Sequence, residues 1–310
     1  MSRIMNRNSF HIRWVRNWKS YKYVYIMLSP ILIYYIVFHY IPMFGVVIAF
    51  QNYKPALGIL GSRYVGLKHF ISFFDSIYSG RVIRNTLLIN VLQILFAFPV
   101  PIVFALILNE IQAKKFQKVV QTVSYMPHFV SLIVICAMVV DFTMSDGLIN
   151  DFIVLFGGNR ANLLNDPNLY RPIYIISGIW QNFGWNSIIY IAALTNVDPA
   201  LYEAAAIDGA DRFRRMIHIS LTSLIPVITI QLIMRVGNIL SQGYEKTILL
   251  YNSLTYETAD IISSYVYRRG LLESNYSFGT AVSIFNSIVN LLVLFLANSF
   301  SRRISENSLW

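Results

Sequence analysis

The chain has 310 residues, 56% of them hydrophobic and 13% charged, with a mean hydropathy of +0.54. Soluble domains carry about a quarter charged residues, so lipid is the main solvent here, and the net charge of +10 reads as cations flanking membrane spans rather than as a nucleic-acid surface. A single cysteine, Cys136, forms no internal disulfide, and five histidines scattered without ligand spacing do not suggest a metal centre.

In chain order, residues 1–22 form a basic amphipathic N-terminus on the cytoplasmic side. Arg3, Arg7, Arg13, Arg16, Lys19 and Lys22 carry its charge, with no acid among them. Phe10, Trp14, Trp18 and Tyr21 recur at helical spacing, which suits a helix in the inner headgroup layer; a disordered basic tail fits equally well. Six apolar segments then reach the roughly 20 residues that a bilayer core of about 30 Å demands. They are 24–50, 86–108, 129–143, 173–194, 219–236 and 278–298, the third short and ending near Asp141. The first is too long for a signal-peptide core and no A-x-A site follows, so it reads as an uncleaved span. Pro30, Pro42, Pro99 and Pro101 fall inside spans, where neighbouring helices or water take up the freed carbonyls.

With the N-terminus inside, the inner segments hold fourteen Lys and Arg and the longer outer loops ten, while Arg235 sits at the outer edge of the fifth span. Both termini are therefore expected in the cytoplasm. The expected division is the N-terminus 1–22, a six-helix membrane domain 23–298 and a cytoplasmic tail 299–310. No loop holds a soluble enzyme domain. There is no G-x-x-x-x-G-K-S/T, since "GYEKT" at Gly243 lacks the length and the second glycine, and there is no G-x-S-x-G, H-E-x-x-H or cysteine cluster. The spans also lack the mid-membrane carboxylates and histidines of ion-coupled carriers, apart from Asp141. The chain is not read as an enzyme, and any energy for transport comes from another subunit.

The polar stretch "DPALYEAAAIDGADRFRRM", 198–216, interrupts this pattern. Asp198 suits an N-cap and Pro199 the first helical position, Leu201 to Ala206 favour helix, and Gly209 suits the left-handed residue that ends one. Asp211 then caps a second helix that runs into the fifth span. The result is a cytoplasmic elbow, 198–218. Its three alanines allow close approach of a partner, with Glu203, Asp208 and Arg212 for polar register; a solvated connector is the plainer alternative.

Glu203-Ala204-Ala205, Gly209, Ile219 and Leu221 together resemble the EAA loop of binding-protein-dependent ABC importer permeases. The family pattern usually places Pro after that Leu, whereas this chain has Thr222 and its next proline is Pro226. "FHYIPMFGVVIAFQNYKP" at Phe38, "GSRYVGLKHF" at Gly61, "RNTLLIN" at Arg84, "MRVGNIL" at Met234, "ILLYNSLTYETADIISSYVYRRGL" at Ile248 and the ending "SLW" extend the resemblance over nearly the whole chain. They are similar to the carbohydrate-uptake branch, of the oligosaccharide and polysaccharide (lipoprotein-dependent multiple-sugar) type.

The resemblance implies an all-α membrane protein of type I ABC importer permease architecture in a bacterial plasma membrane. It implies that Glu203, Ala204, Ala205, Asp208, Gly209 and Arg212 form the coupling helix that sits in the ATPase. Its partners would be a second related permease, two copies of an ABC ATPase carrying ATP and Mg, and an extracellular sugar-binding lipoprotein. No cofactor is expected on this chain.

For an oligosaccharide path, aromatic faces and amides are the expected chemistry. Trp180, Gln181, Asn182, Trp185, Asn186 and Tyr190 in the fourth span are candidates, with Gln231 and Asn238 around the fifth. Interhelical hydrogen bonding and interfacial anchoring would explain the same residues. The outer loop 237–275, with Tyr244, Glu245, Lys246 and Tyr251, is a dock for the binding protein, a gate, or an ordered cap over the spans. A permease for another solute and a non-transporting scaffold or sensor subunit remain alternatives. A phosphate path would want buried Arg or Lys, which the spans lack apart from Arg235.

Overall fold

The computed structural model describes residues 21–304 except Gln242; the expected headgroup helix and the last six residues lie outside the described residues. The chain divides into two units, 1–68 and 69–310.

In the first unit, α1 (Tyr21–Phe50) is apolar on every side, the composition of a helix surrounded by lipid or protein. It is followed by a two-stranded antiparallel hairpin, β1 (Gln51–Asn52) and β2 (Arg63–Tyr64), with Gln51 opposite Tyr64 and Asn52 opposite Arg63.

The second unit runs from α2 (Lys68–Phe74) through α3 (Ser79–Asn109), α4 (Lys114–Tyr125), α5 (Leu132–Thr143), α6 (Leu148–Leu155) and α7 (Pro167–Leu194). It continues with α8 (Pro199–Ile207), α9 (Arg212–Gly237), α10 (Tyr244–Leu250), α11 (Tyr256–Ala259), α12 (Ile262–Val266) and α13 (Tyr276–Ile304). Among the described residues, five stretches are long and apolar enough to cross a membrane: α1, α3, α5 with α6 (Leu132–Leu155), α9 and α13. The third is longer than the sequence suggested, because the apolar run resumes after a short break at 144–147. The 28-residue α7 has the length but is not among the five, since Gln181, Asn182 and Asn186 dilute its hydropathy.

Prolines shape the long helices. A proline offers no N–H to the carbonyl four residues back and its ring crowds that carbonyl. Wide π turns precede three of them: Ile36–Tyr40 before Pro42, Gln93–Ala97 before Pro99, and Met216–Leu221 before Pro226.

In the second unit, α7 is the axis. Near its start, Tyr170, Tyr174 and Ile175 pack with Ile89 of α3, Cys136 and Val139 of α5, and Leu250 of α10. Near its end, Tyr190 and Leu194 pack with Ile102, Ala105 and Leu106 of α3 and Leu224 of α9. A third cluster joins Phe73, Val82, Tyr265, Phe278 and Val282. Lipid tails are as apolar as leucine, so close packing rather than water exclusion holds these contacts within the membrane.

Polar bonds do what packing cannot at the end where α3 and α7 begin. Arg84 pairs with Glu257 at 2.8 Å, and the buried Asn85 donates to the carbonyls of Glu257 (2.9 Å) and Asp260 (3.0 Å) while accepting from Arg171. Thr86 Oγ1 accepts from the amide of Ile262 at 3.0 Å. Three consecutive residues of "RNTLLIN" thus clamp the segment 257–262. Inside that segment Asp260 is fully buried, held by Arg268 at 2.7 Å, Ser264 at 2.7 Å and Arg81 at 3.6 Å. Burial acts to lower the Arg268 pKa, but the facing Asp260 carboxylate outweighs it and holds the guanidinium above its ordinary value.

Candidate translocation path and coupling elbow

Two cavities lie along the groove between α3, α7 and α9. The first, about 430 Å³, is lined by Gln93, Tyr174, Gln181, Asn182, Asn186, Arg235, Glu245 and Lys246, among others. The second, about 470 Å³, is lined by Phe98, Trp185, Asn186, Tyr190, Gln231 and Arg235. They share Ala97, Asn186 and Arg235, so Arg235 stands where one gives way to the other. Its guanidinium donates to Gln93 Oε1. Along α7 the first cavity meets residues 174–186 and the second residues 185–190, nearer the end of the helix.

The seven-residue α10 reaches into the first cavity. Its Lys246 Nζ donates to the Tyr174 carbonyl at 2.8 Å and lies 4.6 Å over the Tyr174 ring. Burial pulls the Lys246 pKa down to about 8, against a small opposing influence of Cys136. Gly178 leaves room for this contact: a Cβ there would lie 3.1 Å from Nζ and press the lysine aside by a few tenths of an ångström. In the second cavity Trp185 stacks on His128, with ring centroids 4.5 Å apart and planes at 5°, and His128 Nδ1 bonds Asn182 Oδ1 at 3.0 Å.

Of the residues expected on the path, Gln181, Asn182, Trp185, Asn186, Tyr190 and Gln231 line one or both cavities. Trp180 and Asn238 line neither; Asn238 instead donates back to the Met234 carbonyl. The expected dock residues separate. Glu245 and Lys246 face the first cavity, Tyr244 stacks on Tyr267 with centroids 4.9 Å apart, and Tyr251 accepts from Arg268. Gln93, Tyr174 and His128 were not foreseen. Gln93 carried a signal, as an amide inside an apolar span.

The elbow is built as its sequence dictates. Asp198 accepts from the Ala200 amide at 2.9 Å and Pro199 opens α8. At the far end Gly209 adopts φ +80°, its amide bonds the Ala206 carbonyl, and the Ala210 amide bonds that of Ala205, a Schellman closure. Asp211 accepts from the Arg214 amide at 2.7 Å and starts α9. Tyr202 ties α8 to α9 through Ser220 at 2.9 Å. Glu203, Ala204, Asp208, Gly209 and Arg212 are exposed and Ala205 half-buried; Ile207 and Phe213, 87% and 64% exposed, add apolar surface.

A family model described as "Binding-protein-dependent transport system inner membrane component" matches residues 97–306. The chain belongs to that family. As a permease of this kind it is a component of the membrane part of an importer. It is 45% identical over 290 residues to the polygalacturonan/rhamnogalacturonan transport system permease protein YteP of Bacillus subtilis (strain 168), covering 93% of this chain and 90% of that one. The permease also resembles a chain of a bacterial ABC transporter involved in the import of the acidic polysaccharide alginate. That match has a TM-score of 0.87 and 41% identity, over 94% of this chain and 99% of the other. A second structure, of an alginate transporter in complex with alginate pentasaccharide-bound periplasmic protein, matches with a TM-score of 0.86 and 42% identity, over 95% and 100% of the two chains.

Proposed function

We propose that this permease is one half of the translocation channel of an ATP-driven importer that takes up an oligosaccharide handed over by an extracellular solute-binding lipoprotein. The observation that carries the reading is the pairing of an exposed, rigidly capped elbow at one end of α7 with an amide-lined cavity towards the other. Its relatives are named for transport of polygalacturonan or rhamnogalacturonan and of alginate, and one is described with a loaded periplasmic protein.

In this reading α7 also crosses the membrane, as the fourth of six spans, and both termini lie in the cytoplasm. Glu203, Ala204, Ala205, Asp208, Gly209 and Arg212 fit into one of two ATPase subunits, which hold ATP and Mg. A second, related permease completes the channel. When ATP closes the ATPase pair, the elbows move together and the halves rock as rigid bodies, opening the outer side to the loaded binding protein. The segment 237–275 meets that protein or gates the path.

The test is purification of the tagged chain from native membranes in mild detergent. It should bring down a second permease and an ATPase whose activity rises with a loaded binding protein, and changes at Glu203 and Gly209 should release the ATPase. A chain that carries no nucleotide-hydrolysing partner would make it a scaffold. Stimulation only by a non-sugar solute would assign it another cargo.

A further inference from the structure

The first cavity carries charge that a path for neutral sugars does not require. Among its lining residues are two cations, Arg235 and Lys246, and one acid, Glu245. Among the described residues neither cation forms an ion pair, with Glu245 or any other acid. Lys246 spends one of its three donors on the Tyr174 carbonyl, with its charge over the Tyr174 ring, and two donors remain. Arg235 spends one N–H on Gln93, and four remain of the guanidinium fork.

A structural lysine at this place is a poor choice. Withdrawing an ammonium from water is costly unless an anion faces it, and a neutral side chain of the same length would pack there without that cost. The lowered Lys246 pKa expresses that cost. The same cavity is lined by Gln181, Asn182 and Asn186, which offer both donors and acceptors to hydroxyls. Cations for carboxylates and amides for hydroxyls are the complement of one kind of molecule.

We propose that Arg235 and Lys246 form a carboxylate-reading subsite, so that the oligosaccharide passing through this half is built of uronic acids. The assignment rests on the importer reading above. Arg235 offers a planar fork that takes a carboxylate through two parallel bonds, and Lys246 offers a compact charge. A neutral glycan of the same size leaves both cations without an anion, so the subsite discriminates by what it would strand as much as by what it binds.

The experiment uses the complete importer in proteoliposomes with its own binding protein, and two probes: a tetrasaccharide of galacturonic acid and its methyl ester, which has the same size and hydroxyls without the charge. The binding protein is common to all variants, so its own preference cancels when ratios are compared. The wild type should favour the acid. Lys246→Gln and Arg235→Gln should each lower acid uptake by about tenfold or more and leave ester uptake within about twofold, the size expected for losing a charge-assisted contact. Lys246→Arg should keep the preference. A variant that keeps the wild-type ratio of acid to ester, or lowers both uptakes together, would overturn the subsite and assign the cations to the shape of the cavity. Uptake of neither probe by the wild type, with a non-sugar solute driving its ATPase, would overturn the oligosaccharide reading itself.

Discussion

At the scale of single residues, two charges drawn away from water make opposite demands. Asp260 is fully buried and satisfied by Arg268, Arg81 and Ser264. Removing one partner of such a pair strands the other, which costs about 3–5 kcal/mol. Arg268→Ala should therefore lower the thermal midpoint of the detergent-solubilised protein sharply, and Asp260→Asn combined with Arg268→Gln should recover part of the loss. Lys246 is half-buried and, among the described residues, forms no ion pair, and burial lowers its pKa from 10.5 to about 8. Between those values the unfolded chain holds a proton that the folded chain has released, so the lysine's contribution to stability rises as pH climbs through that window. Facing it are Tyr174 from α7, Cys136 from α5, Arg235 from α9 and Glu245 on its own helix. Melting curves at pH 7.5 and 9.5 should show the wild type gaining on Lys246→Met at the higher pH; parallel curves would remove the argument.

At the scale of elements, the elbow shows what local chemistry makes legible. Asp198, Pro199, Gly209 and Asp211 each act within four residues of themselves, so the sequence alone announces the cap, the start, the stop and the next cap. Valine at 209 must take φ +80°, at about 1–2 kcal/mol, and loss of the Asp198 cap costs about 1 kcal/mol. Gly209→Val and Glu203→Lys should leave membrane insertion normal and lower sugar uptake per ATP hydrolysed; full uptake by both at normal expression would refute the elbow's role. The cavity was less legible. Asn182 and Asn186 stand one turn apart and betray a polar face, and Gln181 lines the same cavity. Trp180 lies just before them in sequence and lines neither cavity. Lys246 and Gln93 come from segments far away in sequence, and α10 is too short to show a helical period.

At the scale of the molecule, the number of times the chain crosses the bilayer turns on α7. Among the described residues five stretches qualify on length and hydropathy, and α7 on length alone. Its polarity is what a path-lining helix shows, and the hydropathy that reveals the other spans hides this one. The single cysteine makes the count measurable. In a Cys136→Ser background, cysteines placed at Phe156 before α7 and at Ile207 after it, 90% and 87% exposed, should react with a membrane-impermeant maleimide from opposite faces. Labelling from the same face would mean that α7 does not cross.

The π turn at Gln93–Ala97 carries one residue more than an α-helix would use over the same rise. That surplus residue works as a frame shift. Everything before it in α3, including the clamp at Arg84 to Thr86, keeps one angular phase, and everything after it, including Ile102 to Leu106, keeps another. Because the wide turn absorbs that surplus, a single deletion inside 93–97 would restore ordinary winding and leave the two halves near their present phase, whereas a deletion in the regular part of α3 would turn them about 100° against each other.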